Sequence, residues 1–179
     1  MSRLARHITA AAAVILLSSS LSFAQVERGN WELTLGALGT NNNDFDQMAF
    51  GGSAQLGYFF TDWLELGIRQ TISYVKVPDS SATDASTAFA LDVHFPLGKD
   101  GRIVPFVGGN VGFFYGDTVT DSFAYGPEAG LKYFVNSTTF IYGRVEWQFF
   151  EDNIAGSGGT TSNSSDQQVV YQIGIGFRF

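Results

Sequence analysis

The chain has 179 residues, with 17 acidic and 10 basic side chains and a formal net charge of -7. Such an acidic chain has no electrostatic attraction to nucleic acid. Charged residues make up only 15% of it, against about 25% in soluble domains. No segment beyond the N-terminal region approaches the roughly 18 consecutive apolar residues of a transmembrane helix, which argues against a helical membrane protein. A β-barrel, in which every second residue faces lipid, fits both observations.

The N-terminal residues have the layout of a secretory signal peptide. Arg3 and Arg6 precede a short apolar run at residues 8–17, and small residues lead up to Ala24. We predict cleavage after Ala24 and a mature domain over residues 25–179. Loss of the two arginines leaves 8 basic and 17 acidic residues, so the net charge becomes 8 - 17 = -9. The chain has no cysteine and therefore no disulfide framework.

Beyond the signal peptide, apolar and polar residues alternate in eight segments, the period of a β-strand. The last segment shows it best, because Ile173, Ile175 and Phe177 fall on one face. Gln172 and Arg178 fall on the other face. In chain order, the predicted strands cover residues 31–36, 50–60, 64–74, 88–95, 107–115, 125–133, 141–149 and 169–179.

The links between these strands alternate in length. Three are short and carry turn residues: 61–63, 98–102 and 136–139. Four are longer and rich in polar residues: 39–47, 76–86, 116–121 and 151–167. Short turns at one end and long loops at the other are typical of outer-membrane barrels. We therefore predict an all-β fold, an eight-stranded antiparallel up-and-down transmembrane β-barrel.

Three residues fit the alternation poorly. Gln70 would face lipid in the middle of the third strand. Pro105 and Pro127 each remove a backbone donor, which predicts bulges or strand ends at these positions.

Alternation alone does not say which face points inward, and a soluble lipocalin-like binding protein would have the same period with apolar residues inside. The chain has only three lysines, whereas a water-exposed sheet normally carries many more charges. Aromatic residues also lie near the strand ends, where interfacial girdles form. They are Trp31, Tyr58, Trp63, Tyr74, Phe95, Tyr115, Tyr125, Tyr133 and Phe150. We therefore expect the polar face inside.

Charges on the polar face nearly balance, which predicts a salt-bridged and plugged lumen with Phe106 and Phe114 packed among the ions. An unpaired buried charge would cost several kcal/mol. The predicted structural network comprises Glu32, Glu65, Asp92, Glu128 and Glu146 as acids, Arg69, Lys132, Arg144 and Arg178 as bases, and His94 beside Asp92. The alternative hypothesis is that these groups rearrange into a porin-like channel for small solutes.

Two segments and the C-terminus resemble the OmpA/OmpX and opacity-type family of outer-membrane β-barrel domains. They are residues 104–112, VPFVGGNVG, residues 125–134, YGPEAGLKYF, and the terminal Phe179. The resemblance implies residence in the bacterial outer membrane, contact with its lipid and lipopolysaccharide, and periplasmic chaperones in transit. It also implies that the barrel assembly machinery reads an aromatic C-terminal strand, here Tyr171, Ile173, Ile175, Phe177 and Phe179.

We expect no enzymatic activity, no metal site and no cofactor. The mature chain has one histidine, His94, and a satisfied lumen residue is the more common role for such a group than catalysis. The acidic residues predicted in the long loops are expected to be solvated, with divalent cations as a second possibility. Residues 157–165 are expected to form a mobile surface loop, and the barrel is expected to be a monomer with a chiefly structural or surface-interaction role.

Overall fold

The computed structural model describes residues 26–41, 48–77, 80–98, 100–116, 122–151 and 167–179. Eight strands account for almost all of them. The strands are β1 (Trp31–Asn41), β2 (Met48–Phe59), β3 (Leu64–Val77), β4 (Ser80–His94), β5 (Ile103–Gly116), β6 (Ser122–Phe134), β7 (Thr139–Glu151) and β8 (Gln167–Arg178). The predicted signal peptide, the loop over 157–165 and the loop acids Asp44, Asp46, Asp79, Asp117, Asp121, Asp152 and Asp166 lie outside the described residues.

Each strand pairs antiparallel with the next, and β8 pairs with β1 to close the barrel. Closure leaves no exposed sheet edge, which is the requirement for a sheet in a membrane. The predicted eight-stranded antiparallel barrel is therefore confirmed. No helix among the described residues is long and apolar enough to cross a membrane.

The barrel is apolar outside and polar inside. Ile173 on β8 is 70% exposed and Ile72 on β3 is 56% exposed, whereas Glu32 and Glu65 are at most 1% exposed. This is the inverse of a water-soluble barrel, whose apolar residues fill the interior. The lipocalin-like alternative is thus wrong.

The short links, together with the first and last described residues, lie at one end of the barrel, which we call the turn end. There the N–H of Trp31 donates to the carbonyl of Phe179 at 2.8 Å, and the N–H of Phe179 donates to the carbonyl of Trp31 at 3.0 Å. The opposite end, where β1, β3, β5 and β7 finish, is the loop end. In outer-membrane barrels the short turns are periplasmic and the long loops face the cell exterior.

The predicted long link over residues 76–86 is wrong. β3 continues to Val77 and β4 begins at Ser80, and these two residues pair with each other. The serines, threonines and alanines of this region had indicated a loop, but pairing of two strands needs only their backbone groups. Asp84, one of the predicted loop acids, therefore lies on β4 and is buried on its inner face.

The prolines cause no bulge. Pro105 lies within β5 opposite Leu131, and on its other side its carbonyl accepts from the N–H of Phe95 at 2.8 Å, so the backbone pairing continues past the proline. At Pro127 the pairing with β7 is interrupted. It resumes in the same register, so the proline interrupts hydrogen bonds without shifting the strand.

Gln70 does face outward, and its amide is satisfied by two other outward side chains. Its Nε2 donates to the Tyr115 hydroxyl at 2.8 Å, and its Oε1 accepts from the Thr87 hydroxyl at 2.7 Å. Mutual hydrogen bonding lowers the cost of polar groups on a lipid-facing surface.

Candidate functional site

A network of buried charges crosses the middle of the lumen, and Arg69 is its centre. Its Nη2 donates to both carboxylate oxygens of Glu128, at 2.8 and 3.0 Å, and its Nη1 donates to Glu146. The third nitrogen, Nε, donates to the Gln55 carbonyl at 2.8 Å. Asn110 adds a bond to Glu128 at 2.6 Å. Hydrogen bonds between a guanidinium and a carboxylate are among the strongest that side chains make.

Carboxamides connect this central group to the rest of the lumen. The Gln55 carbonyl also accepts from Arg144 at 2.9 Å, and the Gln55 amide lies 3.5 Å from Glu65. Arg144 donates in turn to Gln172, which donates to the Ser53 hydroxyl. The neutral side chains thus complete the hydrogen bonding that the ion pairs leave open, as buried polar groups require.

A second charged group lies closer to the turn end. Lys132 donates to Glu65 at 3.0 Å and to Glu32. Arg178 donates to Glu32 through Nε at 3.0 Å and through Nη2 at 2.5 Å. His94 Nε2 lies 3.2 Å from a Glu65 oxygen. All five side chains are nearly inaccessible to solvent.

Below this second group, an apolar plug closes the turn end. It consists of Val26, Phe59, Val104, Phe134 and Phe140, with the ring of Tyr142 at its inner side. The first five are fully buried. The plug also contacts the cations above it, because the Arg178 guanidinium lies 4.3 Å from the Phe134 ring centroid and Lys132 Nζ lies 5.1 Å from that of Phe140. Such cation–π contacts stabilise cations that have left water.

Inner-face glycines provide the room for these long side chains. An added Cβ at Gly67 would lie 2.7 Å from the Gln55 amide nitrogen. At Gly130 and Gly176 the Cβ would meet the rings of Phe106 and Phe140. Since a lumen of eight strands is only wide enough for side chains to fill it, alternating glycine with long residues lets those residues pack.

The structure brings the ten residues of the predicted network together. All are buried on the inner face, and they come from six of the eight strands, all except β2 and β5. Asp92 is the exception to the pairing: it is buried and makes no salt bridge within the described residues, and its Oδ1 has no hydrogen-bond partner there. His94 packs between the rings of Phe59 and Phe106, at 5.1 and 5.3 Å between centroids.

Two predicted aromatic positions require correction. Phe106 is buried among the ions as expected, but Phe114 is only half-buried and lines a cavity at the loop end instead. Phe150 does not belong to the outer aromatic girdle. It lies on the inner face, where its ring centroid is 5.2 Å from that of Phe114. The alternation of β7 explains this, because Phe150 has the same parity as Glu146 and Gln148.

Sequence reasoning missed three features of the lumen. It did not identify the plug residues Phe59, Phe134 and Phe140, it placed Asp84 in a loop, and it gave no role to the carboxamides. The alternation within each strand could have predicted the plug. Phe134, for example, lies two residues after Lys132 and therefore on the same face of its strand.

The arrangement holds the buried side chains in place. Among the described residues no group of histidine and carboxylate side chains could hold a metal ion. Nearly every charged oxygen or nitrogen of the central group is engaged by another side chain, which fixes the side chains in one arrangement.

A family assignment agrees with this geometry. The sequence profile described as the outer membrane protein beta-barrel domain matches residues 9–179. The chain belongs to this family. Its members are proteins of the bacterial outer membrane, and the apolar exterior and charged lumen described above are what that location requires. No curated protein sequence matches the chain significantly.

Solved outer-membrane barrels have the same fold. OprG of Pseudomonas aeruginosa is 13% identical with a TM-score of 0.60, covering 88% of this chain and 99% of OprG. The N-terminal barrel domain of OprF of the same species is 19% identical with a TM-score of 0.56, covering 85% and 98%. Ail, the attachment invasion locus protein of Yersinia pestis, is 12% identical with a TM-score of 0.53, covering 85% and 99%. At these identities the likeness is one of fold.

Proposed function

We propose that this outer-membrane barrel is closed to solutes and is not an enzyme, and that it serves as a rigid support that presents its loop end at the cell surface. The observation that carries the proposal is the continuous network across the lumen, from Ser53 and Gln172 through Arg144, Arg69 and Glu128. The apolar plug adds a second barrier at the turn end. A solute would have to displace both.

The non-enzymatic part of the proposal rests on His94. This side chain is 1% exposed, lies between two phenyl rings and contacts Glu65. A general base must come within hydrogen-bond reach of its substrate, and the described residues cover almost the whole surface of this imidazole.

Conductance in planar bilayers tests closure. We expect the protein purified from outer membranes in detergent to give no steady openings at either voltage polarity, while a porin in the same membrane conducts. Steady openings whose ion selectivity changes in the Glu128→Gln variant would show that ions pass through the network. That result would favour the channel alternative and overturn the closed barrel.

The proposal includes recognition of β8 by the barrel assembly machinery, after export with a signal peptide removed at Ala24 and transit with periplasmic chaperones. The outward-facing residues of β8, together with the C-terminal residue, are exposed on the barrel surface, where they also contact membrane lipid. They are Tyr171, Ile173, Ile175, Phe177 and Phe179. We expect Phe179→Ala to lower the amount of folded protein in the outer membrane severalfold. Refolding of the purified variant in detergent should be unchanged, and equal loss in both assays would show a stability defect instead. We expect Phe60→Ala, which removes another exposed phenyl ring at the turn end, to assemble normally.

A further inference from the structure

A polar patch interrupts the lipid-facing surface of the barrel. Gln70 on β3 and Thr87 on β4 pair with each other in mid-strand, and the Tyr115 hydroxyl of β5 contacts both side chains on the same outer face. Gln70 is exposed and Tyr115 is 42% exposed, so this outer polar patch contacts the hydrocarbon of the membrane. Lipid tails offer no hydrogen-bond partner, so polar groups here carry a cost that apolar side chains avoid.

The bonds within the outer polar patch do not use its full hydrogen-bonding capacity. Thr87 gives its one hydroxyl proton to the Gln70 carbonyl at 2.7 Å, and the Gln70 amide donates to the Tyr115 oxygen at 2.8 Å. For the Tyr115 proton the patch offers the Thr87 oxygen at 3.3 Å, beyond the usual limit of about 3.0 Å between two oxygens. A carbonyl oxygen accepts two hydrogen bonds. The described residues therefore leave a donor on Tyr115 and an acceptor on Gln70 for a partner.

A donor and an acceptor in one patch make the patch complementary to itself. In a twofold-symmetric contact each copy presents the same surface, so that each contact between two residues occurs twice. The Tyr115 hydroxyl of one copy can then donate to Gln70 of the partner subunit, and the reverse bond forms by symmetry. The three side chains of the patch are uncharged, so two copies of this acidic chain meet there without bringing like charges together.

The surface on either side of the patch differs in shape. On one side, an open groove of about 490 Å³ crosses β1, β2 and β3, with Gly52 and Ala54 among its lining residues. On the other side, Phe89 of β4 and Phe113 of β5 project at 53% and 54% exposure. A twofold axis along the membrane normal at the patch places the groove side of one copy against the phenyl side of the other. Because lipid tails are as apolar as these side chains, association within a membrane depends on such packing and on hydrogen bonds.

We propose that two copies of this chain form a twofold-symmetric dimer in the membrane through the outer polar patch, with the Tyr115 hydroxyl of each copy bound to Gln70 of the partner subunit. The groove of each copy packs against the β4–β5 side of the other, and both loop ends face the same side of the membrane. The dimer replaces the monomer expected from the sequence. The lumen takes no part in the contact, so the proposal is independent of whether the barrel is closed.

Energy transfer between labelled copies in lipid vesicles tests the proposal. The chain has no cysteine, so Asp100→Cys in an exposed turn provides a single site for a donor or an acceptor dye. We expect mixed labelled protein to show transfer that persists on dilution with lipid, above the level of randomly placed monomers. Tyr115→Phe and Gln70→Leu should each weaken dimerisation about tenfold, because each removes both symmetry-related hydrogen bonds. Tyr125→Phe, which removes the hydroxyl of another exposed tyrosine, should leave dimerisation unchanged.

A second pair of variants tests the groove. Ala54→Phe fills the groove and should abolish transfer, whereas Ala129→Phe adds the same ring to the exposed outer face of β6 and should not. Migration as a folded barrel on an unheated gel checks each variant. If Ala54→Phe does not fold, Tyr115→Phe still decides, since it removes only one exposed oxygen.

Three results would overturn the proposal. Transfer at the random level in the unchanged protein would show that lipid covers the patch. Equal transfer in Tyr115→Phe and Tyr125→Phe, or undiminished transfer in folded Ala54→Phe, would show that the copies meet through another surface.

Discussion

Replacing Arg69 with methionine will lower the free energy of unfolding by about 3 to 5 kcal/mol, the cost of removing one partner from a buried ion pair. The methionine fills most of the volume but leaves Glu128 and Glu146 buried beside each other with Arg144 as the nearest cation. Urea titration of the refolded barrel in detergent, followed by tryptophan fluorescence, measures this loss as a lower midpoint at an unchanged slope.

The matched control is Arg102→Met, which removes the same charge from an exposed turn and should change the free energy of unfolding by less than about 0.5 kcal/mol. Adding Glu128→Gln to Arg69→Met should restore part of the stability, because the second change removes one of the uncompensated carboxylates. Arg69→Met and Arg102→Met variants of equal stability would show that the network does not hold the barrel together.

The central network could be predicted from sequence because strand parity is a local property. Glu32, Glu65, Glu128 and Arg144 are each flanked on both sides by apolar or small residues, so the local alternation assigns their face. Arg69 is followed by the polar Gln70, and its face follows from the parity that it shares with Glu65. Charge balance then excludes the opposite assignment, since each Arg or Lys turned toward lipid near the midplane would cost about 2 to 4 kcal/mol.

Where strands end could not be predicted in the same way. Residues 80–86 of β4 are serine, threonine, alanine and aspartate, and their composition is that of a loop. They form a strand because β3 lies beside them and satisfies their backbone groups. Partner availability is a tertiary property, and the error moved Asp84 from the cavity wall into a predicted loop.

The plug was missed for a different reason. Phe59, Phe134 and Phe140 interrupt the alternation, because they are apolar residues on the polar face near a strand end. There they could equally belong to an interfacial girdle. Their inward position follows only from their relation to charged residues that face the lumen. Phe59 lies directly opposite Glu65 on the next strand, and Phe134 lies two residues after Lys132 on the same strand. Register, rather than hydrophobicity, decides the face of residues at strand ends.

The lumen therefore has three layers with different physical chemistry. The apolar plug at the turn end excludes water. The second charged group, with Glu32, Lys132 and Arg178, lies directly on the plug. Dry surroundings strengthen each ion pair, but they also raise the cost of leaving any charge unpaired. The cavity at the loop end lies farthest from the plug, where the lumen opens toward the long loops.

The plug should accordingly make a large contribution to stability. Phe140 is fully buried, its ring centroid lies 4.9 Å from that of Phe134, and it occupies the space over its cross-strand partner Gly176. Phe140→Ala will lower the free energy of unfolding by about 3 to 5 kcal/mol, because the lost ring leaves a cavity that a closed sheet cannot collapse to fill. Urea titration of the refolded variant in detergent measures this loss in the free energy of unfolding.

Phe89→Ala provides the comparison, because Phe89 is 53% exposed on the outer face of β4 and contacts detergent or lipid. Its loss leaves no cavity within the protein, since detergent chains fill the space, and we expect a cost of about 1 to 2 kcal/mol from the lost apolar area alone. The difference between the two variants isolates the packing of the plug from the general benefit of an apolar ring. If Phe140→Ala costs no more than Phe89→Ala, the turn end is loosely packed and the charged network alone closes the barrel.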